Sequence, residues 1–74
     1  MGIDIARKHP KIIATLKESR YSMQRADLVS AVAQKYGVQP YYVYAFIEYA
    51  EKDGVVSIDS NGPTIFVKLN RAYW

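Results

Sequence analysis

The chain has 74 residues with no cysteine and a single histidine, so it forms one small domain that no disulfide and no four-ligand Cys/His zinc site can brace. Half of it is hydrophobic, seven residues are tyrosine and 23% is charged, which is too apolar for a disordered segment. The formal net charge of +3 permits a nucleic-acid partner without demanding one, and no apolar run approaches the ~18 residues of a membrane span. Residues 1–9 carry Asp4, Arg7, Lys8 and His9 and no apolar signal core, which points to a cytoplasmic protein. The start at Met1 without a tag fits a complete small chain.

Pro10 suits a first helical position, and Ile12, Ile13 and Leu16 recur at helical spacing with Lys11, Lys17 and Glu18 opposite, so helix 1 is expected over about 10–19. Ile5 extends it or pairs as a short strand. Ser22 reads as an N-cap, with Tyr21 stapled onto Ala26, for a helix 2 over about 23–36 whose stripe is Leu28, Val29, Val32 and Tyr36. Gly37 ends it, Val38 and Gln39 make a minimal turn, and Pro40 opens helix 3, which Gly54 stops at about residue 53. The apolar period then changes to two. Val56 and Ile58, the turn Asp59-Ser60-Asn61-Gly62-Pro63, and Ile65, Val67 and Leu69 predict a β-hairpin over about 55–69. The class is α+β, three helices and a C-terminal hairpin, followed by the aromatic tail Tyr73-Trp74.

Ala26-Asp27-Leu28-Val29 with Val32-Ala33, the turn Tyr36-Gly37-Val38-Gln39-Pro40, the helix 3 residues Val43, Phe46, Ile47 and Ala50, and Glu51-Lys52-Asp53-Gly54-Val55-Val56 carry a resemblance. Over residues 21–69 the order resembles the winged helix-turn-helix DNA-binding superfamily, in which the third helix lies in the major groove and the hairpin is the wing. The last stretch is similar to the Leu-Glu-x-x-Gly-Leu-Val ending of such recognition helices.

The resemblance implies base contacts from Gln39, Tyr41, Tyr42, Ala45 and Tyr49, the residues on or beside the free face of helix 3. Tyrosine donates to a phosphate or a base edge, and Gln39 suits adenine. It implies phosphate contacts from Ser22, Gln24 and Arg25 at the start of helix 2, to which Lys35 and Lys52 add charge. The wing offers Ser60, Asn61 and Lys68, although Asp59 opposes a phosphate at its tip. Charge is uneven: residues 1–37 hold seven basic and three acidic residues, and residues 38–74 hold three and four. The bland reading of each cation is a solvated helix face. Tyr36 and Tyr44 are expected mainly to pack.

Nothing assembles a catalytic group: His9 has no Ser, Cys or phosphate-loop partner and is expected to cap or face solvent before Pro10. No metal, cofactor or small-molecule ligand is indicated. Ile3, Ile5, Phe66, Tyr73 and Trp74 have no evident place in a three-helix core and are expected to pair across a two-fold axis. The leading expectation is a homodimeric, sequence-specific double-stranded DNA-binding transcriptional regulator. The alternative is a winged-helix protein-interaction module using the tyrosines of helix 3, since Tyr gives large, rigid contact area at low entropic cost.

Overall fold

A computed structural model describes residues 8–74, with Asn61 described by its backbone alone. Ile3 and Ile5, and the short strand or helix extension considered for Ile5, lie outside the described residues.

Helix α1 spans Pro10–Glu18, with proline, whose φ is already helical, at its first position. It buries Ile12, Ile13 and Leu16 on one face, and Thr15 satisfies its hydroxyl by donating to the Lys11 carbonyl at 2.8 Å. Beyond Ser19 the chain takes two successive left-handed residues, Arg20 (φ 58°) and Tyr21 (φ 71°). Each costs about 1–2 kcal/mol for a residue with a Cβ. The turn is held by the Tyr21 amide donating to Leu16 (2.7 Å), by the Leu69 amide donating to Tyr21 (2.8 Å), and by the Tyr21 ring stacked on Trp74 at 4.2 Å.

That turn delivers a strand that the sequence reading did not contain. Ser22–Gln24 form β1, so Ser22 is not the N-cap of the second helix and Tyr21 is not its staple. Helix α2 spans Arg25–Tyr36, capped by Gln24 without a side-chain bond, and buries Leu28, Val29 and Val32. Tyr36 leaves the expected stripe and is 36% exposed. Gly37 closes α2 at φ 64°, in the left-handed region that suits glycine, and the Val38 amide donates to Ala33 at 3.2 Å. Two residues later Pro40 starts α3, which spans Pro40–Lys52 and buries Val43, Ile47 and Ala50.

Strands β2 (Val56–Asn61) and β3 (Thr64–Leu69) form the expected hairpin, and β1 joins its other side, giving an antiparallel sheet in the order β1-β3-β2. Asp59, Ser60 and Asn61 pair with Phe66, Ile65 and Thr64, so the expected five-residue turn shrinks to Gly62 and Pro63. Glycine with positive φ at the first loop position is what a type II′ hairpin asks for. The inner face of the sheet contributes Val56, Val67 and Leu69 to a core shared with all three helices. A 3-10 turn, Arg71–Tyr73, folds the tail back. Tyr73 packs on the core and the Trp74 indole donates to the Leu69 carbonyl at 2.9 Å, so both tail residues have a place in their own chain, contrary to expectation.

The described molecule is therefore an α+β fold of three helices and a three-stranded antiparallel sheet. No helix among the described residues is long and apolar enough to cross a membrane.

Candidate nucleic-acid interface

Successive helical residues turn by 100°, so with Val43, Ile47 and Ala50 in the core the opposite ridge of α3 is Tyr41, Ala45, Glu48 and Lys52. Tyr41, Tyr42 and Tyr49 are exposed, Tyr41 at 64% and Tyr49 at 60%, and Ala45 is half-buried. Tyr41 and Tyr42 lie against each other with ring centres 4.3 Å apart. Hydrogen bonding with Tyr42, and to a smaller degree desolvation, pushes the Tyr41 phenol above its ordinary pKa. Gln39 caps the helix with its side chain exposed.

Two clefts flank this ridge. One lies toward the start of α2 and the hairpin and is lined by Arg25, Tyr41, Tyr44, Glu48, Glu51 and Ile58. In it the half-buried Arg25 guanidinium stands 5.3 Å from the centre of the Tyr44 ring, within cation–π range. Arg25 and Tyr44 also border a hollow at the hairpin tip with Gln24, Pro63, Thr64 and Ile65. The other cleft lies toward the start of α1 and is lined by Lys8, His9, Phe46, Tyr49 and Asp53. Here His9, which holds the expected cap position of α1 without a side-chain bond to it and is buried rather than solvent-exposed, meets Asp53 with its Nε2 at 2.7 Å from Oδ2. That hydrogen bond holds the Asp53 carboxyl below the usual carboxylate range.

Gln39 at the cap and Tyr41, Tyr42 and Ala45 in the first half of α3 thus lie close along the chain, and Tyr49 follows on its α1 side. The expected phosphate ligands are scattered. Arg25 and Gln24 stand beside the hairpin tip, whereas Ser22 lies in β1 opposite Lys68. Lys35 is bound to Glu18 at 2.6 Å, and this hydrogen bond raises its pKa. Lys52 is exposed in the last turn of α3. The three wing residues do not form one cluster. Ser60 and Asn61 are near the tip, while Lys68 is four residues from the end of β3 at Thr64, about 13 Å along the strand. Its ammonium is 3.3 Å from Asp59. Phe66 is half-buried on the outer face of the central strand, between Gln24 and Asp59.

Tyr44, expected to pack, is 42% exposed and serves as the seat of Arg25. Its place on the helical wheel, on the opposite flank from Tyr42 and Tyr49, is the signal that could have assigned it. No comparable signal marks Lys11 on Tyr36, because that contact joins α1 to α2 through tertiary packing. Compared with family models, with curated protein sequences and with solved structures, the chain gives no match.

Proposed function

We propose that the protein is a small winged-helix, sequence-specific double-stranded DNA-binding protein, acting as a transcriptional regulator with α3 in the major groove. One observation carries this reading. The connection α1-β1-α2-α3-β2-β3 leaves the ridge of α3 uncovered, with Arg25 at one border and a hairpin beside it. A helix of 10–12 Å diameter fits a groove about 12 Å wide. Tyr41 and Tyr42 are donors for base edges or phosphates, Gln39 suits adenine, and Arg25 supplies a backbone contact. A pair of copies on two half-sites would double a small footprint, and Phe66, half-buried on the outer face of the sheet, is an apolar group available for it.

The test is fluorescence anisotropy on a labelled random-sequence duplex, followed by selection of preferred sites. Affinity is expected to fall steeply with salt, Gln39→Ala and Tyr42→Ala to change sequence preference, and Arg25→Ala to weaken all sequences alike and reduce the salt slope by about 0.9. Absence of binding at low salt overturns the reading.

A specific observation favours a second reading, a protein-interaction module. The exposed face of α3 has no arginine, and Glu48 and Glu51 line its cleft beside three tyrosine and arginine side chains. In that case Tyr42→Ala and Tyr49→Ala abolish capture of a protein ligand and leave DNA titrations flat.

A further inference from the structure

We propose that the start of α1 together with the end of α2 is a second phosphate-contacting shoulder, so that α3 is flanked by cations on both sides and meets the backbones of both DNA strands; this rests on the DNA-binding reading above. Lys8 and Lys11 are both exposed, and Lys8 lines the cleft on the α1 side of α3 with Phe46 and Tyr49. Arg25 lines the cleft on the other side with Tyr44. Tyr44 and Tyr49 are five residues apart, which places them about 140° apart around the helix axis. The two cationic borders therefore face away from each other across the exposed ridge.

The shoulder is built rather than incidental. The Lys11 ammonium stands 5.7 Å from the centre of the Tyr36 ring, and the Lys35 ammonium stands at the same distance from the same ring. An aromatic face attracts an ammonium and restrains a side chain that would otherwise sweep a wide volume of solvent. Lys35 is already paired with Glu18, but among the described residues neither Lys8 nor Lys11 has a carboxylate within salt-bridge distance. The two acids on this border are engaged, Glu18 by Lys35 and Asp53 by His9. On the opposite border Glu48 and Glu51 stand beside Arg25, so the α1 shoulder carries the more positive formal charge of the two.

A duplex fits this arrangement. A helix in the major groove has one sugar–phosphate backbone on each side, and cations on both borders meet two rows of phosphates at once. A single acidic peptide offers one row, and would engage one border only.

The experiment compares wild type with Lys8→Ala/Lys11→Ala, Arg25→Ala and Lys17→Ala on a labelled 20-base-pair duplex across a salt series, each variant first checked for an unchanged thermal melt. Lys17 is exposed near the far end of α1 and serves as the control for charge alone. The double variant is expected to lower the slope of log K against log salt by about 1.8, one unit of about 0.9 per lost phosphate contact, and Arg25→Ala by about 0.9. Lys17→Ala is expected to leave the slope unchanged. A wild-type slope in the double variant, with Arg25→Ala still reduced, overturns the shoulder and leaves the DNA-binding reading standing. An equal loss from Lys17→Ala also overturns it, because the effect would then be one of net charge. A flat wild-type titration at low salt removes both proposals together.

Discussion

His9 and Asp53 are 44 positions apart in the chain, and their contact ties the residue before α1 to the residue after α3. Because the His9 hydrogen bond, helped by the charges of His9 and Lys8, lowers the Asp53 pKa in the folded state, the unfolded chain binds that proton more readily. The contribution to stability is therefore complete above the ordinary carboxylate range and is lost as pH falls through the lowered value. Asp53→Asn is expected to flatten the acid limb of a plot of melting temperature against pH. An acid limb as steep as that of wild type would show that other carboxylates carry it. This contact was not legible in the sequence, where His9 next to Pro10 reads as a cap or a solvent-facing group. A partner so distant is found only once α1 and α3 are packed. Tyr41, Tyr42 and Tyr49 were legible, because their exposure follows from the helical period of Val43, Ile47 and Ala50, whereas Tyr44 was expected to pack and is exposed.

The elements divide in the same way. α1, α3 and the hairpin have patterns that carry their own assignment, whereas β1 is three residues long and exists through its pairing of Ser22, Met23 and Gln24 with Lys68, Val67 and Phe66. Serine before a helix is a strong local capping signal, and it was outweighed by a strand partner more than forty residues away. The hairpin turn was read too long for a related reason: Asp59, Ser60 and Asn61 are turn-forming residues held in a ladder by their partners across the strand. The turn between α2 and α3 is set locally, by Gly37 at φ 64°. Gly37→Ala meets no atom within 4 Å, so its cost is conformational alone. It is expected to lower stability by about 1–2 kcal/mol, measured by urea denaturation, while leaving the fold intact. A loss much greater than this would mean that the α2–α3 angle itself depends on the glycine.

At the scale of the molecule one core serves every element. Leu16, Leu28, Val32, Val43, Val55 and Val67 are fully buried and come from all three helices, the start of the hairpin and the central strand. A chain of this length has a total stability of roughly 4–11 kcal/mol. Leu16→Ala, which removes about 2–5 kcal/mol, is thus expected to take away a large share of that stability and to lower the urea midpoint markedly. A urea midpoint that hardly moves would mean that the site collapses around the smaller side chain. The charge asymmetry between the two halves of the sequence also changes meaning once folded. The basic first half supplies both borders of α3, and the acidic second half supplies α3 itself. The end of the chain has an optical consequence. Trp74 is the sole tryptophan, and it lies on Tyr21 with ring planes 10° apart. Its emission and near-ultraviolet dichroism are consequently a built-in gauge of whether the β1–β3 end of the sheet is closed, read at a wavelength where the other aromatic rings are nearly silent.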